Sequence, residues 1–151
     1  FWGQRKIMDM LTATRYHDIS CGHRVFGHEN KCAHLHGHNY RFHFTITADA
    51  LDAVGRVLDF SIIKTLLCMW LEDNYDHKFL IWENDPMAEA LKELDPDGVV
   101  FVPYNPTAEN IAKHMVEVIA VEALKGTGCR LIKCSIDETR KCSAAYEIES
   151  I

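Results

Sequence analysis

The chain has 151 residues, of which 48% are hydrophobic and 25% charged, with a formal net charge of −6; this composition fits one globular domain with a single core. The acidic balance and the scatter of its lysines and arginines exclude a phosphate-backbone footprint, so no nucleic-acid partner is expected. No apolar run is long enough to span a bilayer and no signal-peptide pattern opens the chain, which predicts a cytosolic protein with no membrane partner.

Residues 1–10 precede the first convincing strand and begin at Phe1. They are expected to be an N-terminal extension from an expression tag or an earlier start, with a single domain over 11–151. Residues 12–25 lean towards β structure, and 39–48 form the clearest strand. There Tyr40, Phe42, Phe44 and Ile46 alternate with Arg41, His43, Thr45 and Thr47, so one face is core. Residues 27–36 between them read as a polar loop. After a turn in 52–56, Asp59 is the predicted N-cap of a helix to about residue 71. Its apolar stripe is Ile62, Ile63, Leu66, Leu67, Trp70 and Leu71, with Cys68 and Met69 as packing residues.

Residues 75–80 read as a connection and 86–94 as a short helix stopped by Asp95-Pro96-Asp97-Gly98; residues 99–102 make a short apolar strand. A second long helix is predicted to start at Thr107, with Glu109 placed against the dipole. It turns Ile111, Met115, Val118, Ile119 and Leu124 inward and ends at Gly126 and Gly128. Residues 129–137 and 142–148 alternate as two strands around a turn at 139–141. The order ββαβαββ predicts an α+β fold with a mostly antiparallel sheet and two long helices on one face. The six cysteines, Cys21, Cys32, Cys68, Cys129, Cys134 and Cys142, contain no Cys-x-x-Cys pair and are expected to be free thiols.

The chemistry concentrates in Cys32-Ala33-His34-Leu35-His36-Gly37-His38, with His23 upstream on the neighbouring strand. In an extended chain His36 and His38 project to one side, and Gly37 between them adds no bulk. Three imidazoles with no fourth protein ligand read as a catalytic zinc site with an open position. Cys32, four residues before His36, is a base or nucleophile, a fourth zinc ligand, or a buried inert thiol; displacement from the metal by substrate would reconcile the first two. Asp76-His77 could tune a proton-transferring histidine, and Glu138, beside Thr139, could accept two parallel N–H bonds from a guanidine-like ring edge. His17, His28, His34, His43 and His114 lack this context and read as surface or packing residues.

These elements together resemble the 6-pyruvoyltetrahydropterin synthase family. The residues that carry the resemblance are Gly22-His23-Arg24, Cys32-x-x-x-His36-Gly37-His38-Asn39-Tyr40, Leu58-Asp59-Phe60, Asp76-His77, Asn105 to Asn110 and Glu138-Thr139, in the family's order from about residue 12 to 146. Three residues separate the cysteine from His-Gly-His, which is closest to the 6-carboxytetrahydropterin synthase branch of queuosine biosynthesis; pyruvoyl-forming relatives typically have a longer interval. The resemblance implies a tunnelling fold, with a four-stranded antiparallel sheet, two helices on one side, and subunits joined into an oligomeric barrel such as a trimer-based hexamer. Active sites would lie between subunits.

It also implies zinc on His23, His36 and His38, a reactive Cys32, the Asp76-His77 pair, acting in a neighbouring subunit's site, and Glu138 as pterin anchor. Thr139 and Thr107 join Glu138 as expected substrate-binding residues, and Arg24, Lys133 and Arg140 are candidates for the triphosphate. The implied substrate is 7,8-dihydroneopterin triphosphate, converted to 6-carboxy-5,6,7,8-tetrahydropterin with loss of triphosphate and acetaldehyde. The rivals are a pyruvoyl-forming synthase, a non-catalytic zinc- or pterin-binding subunit, and a zinc hydrolase. Two features depart from the family pattern: Cys21-Gly22 stands where small residues, often Ala-Ala, precede the first histidine, and segment 82–98 is longer than in compact members.

Overall fold

The structure, a computed structural model, describes residues 10–148, so the expected extension over 1–10 lies outside it except for Met10. A long antiparallel hairpin dominates: β1 (Thr12–His23) pairs along its whole length with β2 (His36–Ala48). β5 (Cys129–Asp137) adds to β2 and β6 (Ser143–Glu147) to β5, both antiparallel. These four strands run antiparallel to their neighbours. The sheet does not stop there: β3 (Phe79–Trp82) and β4 (Val99–Val102) join the other edge in parallel, giving six mixed strands in the order β4-β3-β1-β2-β5-β6.

The expectation of four strands, and of a connection over 75–80, fails at Phe79-Leu80-Ile81-Trp82. This run has no alternation because both of its faces are covered, as in buried parallel strands. Leu80 enters the main core, and Ile81 packs with Ala88 and Val99 in a second cluster on the opposite face. That second face is roofed by α2 (Ala88–Leu94), which lies in the long 82–98 segment.

The two long helices cover the main face. α1 spans 60–74 and is capped by Asp59, whose carboxylate accepts from the Ser61 N–H at 2.9 Å. α3 spans 108–123 and is capped by Thr107, whose Oγ1 accepts from Asn110 N–H at 3.1 Å. Both caps are the ones predicted, and each satisfies a first-turn amide that would otherwise lack a partner. The helices bury Ile63, Leu67, Leu71, Ile111 and Met115 on Tyr40, Phe42, Phe44 and Ile46 of β2.

Each helix contains a wide turn with i→i+5 bonding, over Lys64–Cys68 and Met115–Ile119. A wide turn holds an extra residue and so moves the apolar stripe on by about one position. In α3 the stripe therefore continues through Val116 and Ala120, and Val118, expected inside, is 52% exposed. In α1, Ile62 and Met69 are likewise exposed rather than packed, and Leu67, Cys68 and Leu71 carry the burial. No helix among the described residues is long and apolar enough to cross a membrane.

Candidate metal centre and active site

The hairpin register places His23 opposite His36, and His38 follows two residues on along the same face. The ligating nitrogens of all three lie within 4.8 Å of one another. Ring orientation is fixed from behind. His23 Nδ1 donates to the Pro106 carbonyl at 2.6 Å, just before α3, and His36 Nδ1 donates to the His34 carbonyl at 2.7 Å. With Nδ1 carrying the proton, Nε2 presents its lone pair, which is the arrangement of a metal-binding histidine held by an outer hydrogen bond.

The three Nε2 atoms are sealed from solvent and have no hydrogen-bond partner. An unsatisfied buried polar atom costs about 1–3 kcal/mol, so three at one point need an explanation, and a cation accounts for all of them together. Burial pulls His23 down to about 4 despite the Pro106 carbonyl, and burial also lowers His38 although Glu138 opposes it. Both shifts keep the imidazoles neutral, the form that ligates. Gly37 and Gly22 face each other across the strands on the side away from the histidines. A Cβ on Gly37 would stand 3.1 Å from the Cys21 carbonyl, and one on Gly22 would stand 2.6 Å from the Phe79 ring.

Glu138 follows β5, and its carboxylate lies 3.7 Å from His38 Nε2, beside the cluster but beyond hydrogen-bond distance. Cys32 sits in a tight turn, Lys31–Ala33, and its thiol is free and half-buried. The turn is tied down at two points: the Cys32 carbonyl accepts from Val25 N–H at 2.8 Å, and the Ala33 carbonyl accepts from Arg24 at 2.8 Å. The same guanidinium forms a two-pronged pair with Asp85, at 2.7 and 3.1 Å, and the Asp85 side chain is 0% exposed. Arg24 is thus a clamp on the Cys32 turn. Of its five N–H donors, three are used in these contacts.

Asp76 and His77 stand just before β3, beside Ser20 of β1, whose carbonyl accepts from the His77 N–H at 2.7 Å. They line a cleft of about 950 Å³ shared with Ser20, Asn39, Glu138 and Thr139. His77 Nδ1 is 2.8 Å from Asp76 Oδ2, and Asp76 Oδ1 accepts from Ser20 N–H at 2.9 Å. Adjacent residues achieve this pairing because His77 adopts a left-handed backbone with φ of 59°, rare for a residue with a Cβ and a feature that clusters at functional sites. Burial pushes the Asp76 carboxyl up, but the Ser20 N–H and His77 outweigh it and hold it below the usual carboxylate range.

Thr139 Oγ1 accepts from the Lys141 and Cys142 N–H groups, both at 3.1 Å, so it shapes the turn that carries Glu138. Arg140 also lines the cleft, whereas Lys133 stands in mid-strand opposite Thr45. All six cysteines are free, as expected. Sequence reasoning missed Tyr40 and Asp85. The signal for each was slight: a tyrosine in a run of core phenylalanines beside His38, and one acid among several in the 82–98 segment.

The family model of 6-pyruvoyl tetrahydropterin synthase matches residues 12–149. The chain belongs to this family. Among its relatives, a 6-carboxy-5,6,7,8-tetrahydropterin synthase of Rickettsia felis is 34% identical over 134 residues, covering 88% of this chain and 97% of the relative. A synthase of the same name from Aquifex aeolicus is 33% identical over 128 residues, covering 80% and 78%. Among solved structures, an uncharacterized protein from Wolinella succinogenes aligns with a TM-score of 0.81 at 21% identity, over 94% of this chain and all of that one. The 6-pyruvoyl tetrahydropterin synthase of Caenorhabditis elegans aligns with a TM-score of 0.67 at 24% identity, over 94% and 98%. These structural likenesses establish the family fold.

Proposed function

We propose that the chain is a zinc-dependent 6-carboxy-5,6,7,8-tetrahydropterin synthase, a lyase acting on 7,8-dihydroneopterin triphosphate in queuosine biosynthesis, taking up one water and releasing acetaldehyde and triphosphate. The observation that carries this reading is the sealed convergence of three unpartnered imidazole nitrogens in a chain whose full-length relatives bear that name. His23, His36 and His38 would hold the zinc, which when bound acts as a Lewis acid on the hydroxyls of the pterin side chain.

The protein's own groups divide the remaining work. The Cys32 thiol, held by the Arg24 clamp, takes and returns protons at the side-chain carbons. His77, oriented by Asp76, moves protons at the hydroxyls. Glu138 accepts the two N–H groups of the pterin edge, with Thr139 and Thr107 as neighbours and Arg140 as a cation for the triphosphate. No redox cofactor is required, because oxidation of the side chain balances reduction of the ring.

The outward placement of His77, with its side chain 80% exposed, supports a homo-oligomer in which Asp76 and His77 serve an adjacent subunit's site. Free buried thiols support a reducing, cytosolic setting. The test is incubation of zinc-loaded protein with 7,8-dihydroneopterin triphosphate. Acetaldehyde and 6-carboxytetrahydropterin are expected in equal amounts, and a pyruvoyl product without acetaldehyde would place the chain with the pyruvoyl-forming branch instead.

A further inference from the structure

We propose that the Tyr40 hydroxyl is a further substrate-binding group, an O–H donor kept for an oxygen atom that sits beside the three imidazoles. Tyr40 lies two residues beyond His38 on the same face of β2 and is 1% exposed. Its ring meets His23 and His38 edge-on, with centroids 5.7 and 5.4 Å apart. Its hydroxyl is sealed from solvent and has no hydrogen-bond partner.

A packing role alone does not explain this residue. Phe42 and Phe44 fill the equivalent positions further along the strand, and a phenylalanine would fill this one without leaving a buried hydroxyl unsatisfied, which is destabilising. Among the described residues, four buried side-chain polar atoms lack a partner: the Nε2 atoms of His23, His36 and His38, and the Tyr40 oxygen. They lie in neighbouring rings. Three of them are imidazole nitrogens, the atoms that ligate metals; the fourth is a hydroxyl, which can donate.

The surroundings of the hydroxyl indicate what it is for. A phenolic hydroxyl carries one O–H donor. Glu138 and Cys32 are the acid and the thiol of the proposed site, and both take protons or N–H bonds. Tyr40 supplies the complementary donor, which an oxygen-bearing ligand between these groups requires. On the functional reading above, on which this inference rests, that oxygen is a hydroxyl of the pterin side chain.

Calorimetric titration of the assembled, zinc-loaded protein with neopterin, which carries the hydroxyls, and 6-methylpterin, which lacks them, tests the assignment. The wild type is expected to bind neopterin more tightly. Tyr40→Phe is expected to weaken neopterin roughly tenfold, to leave 6-methylpterin and zinc content unchanged, and to keep or raise the melting temperature because an unsatisfied hydroxyl is gone. If the wild type prefers neopterin and the variant keeps that preference, the Tyr40 assignment fails while the functional reading stands. If the variant loses zinc, Tyr40 is a ligand and the assignment is again wrong. If the wild type binds neither pterin, the functional reading fails and takes the assignment with it.

Discussion

The two ends of the proposed chemistry are built differently. The histidine cluster is assembled within one chain, buried under the start of α3, with backbone carbonyls fixing two of its rings. Asp76 and His77 stand just before β3 on the rim of an open cleft, with Asp76 part-buried and His77 exposed on a left-handed backbone. The contrast separates the proposed metal site from the proposed Asp76-His77 proton relay: the first is assembled by this chain's own fold, whereas His77 faces outward.

Variants at the two ends should therefore fail in different ways. The largest effect is expected from His36→Ala, which removes a ligand. Zinc measured by elemental analysis should fall from one per chain to near none, with activity lost, a larger penalty than the roughly 10–100-fold that removal of an outer partner costs. Next come Cys32→Ala and His77→Ala, each expected to keep its zinc and lose roughly 10²–10⁴-fold in turnover. Zinc loss in His77→Ala would erase the distinction between the two regions.

A variant between the two ends sharpens the comparison. Asp85→Ala takes the carboxylate partner from the part-buried Arg24 and should destabilise the protein by about 3 kcal/mol in denaturant unfolding. It should also change the alkylation rate of Cys32, resolved by mass spectrometry, because the turn loses its clamp. The smallest effect is expected at Asp76. Its folded carboxyl lies below the ordinary value, so its contribution to stability is present above the unfolded value and is lost as pH falls through the folded one. Asp76→Asn should give a shallower decline in melting temperature on acidification than the wild type.

The legible parts of the sequence were those governed by short-range physics. Alternation fixed the buried face of β2, and Asp59 and Thr107 declared themselves as caps. Same-face spacing brought His36 and His38 together. The wide turns of α1 and α3 were not legible, because an extra residue in a turn leaves no mark on a 3.6-residue pattern, and Val118 and Met69 were misplaced as a result. β3 was missed because a strand covered on both faces does not alternate. Within the site, Arg24 read as a free cation because its partner Asp85 lies 61 residues away. The orphan state of Tyr40 depends on the packing of several elements and exists only in three dimensions.

The central claim is that three imidazoles of one chain grip a single ion. Zinc-edge X-ray absorption on the reconstituted protein tests it most directly. Three imidazole nitrogens at about 2.0–2.1 Å are predicted, with that pattern absent from His36→Ala. A protein that takes up no zinc, or one whose zinc shows no imidazole scattering, would contradict the account.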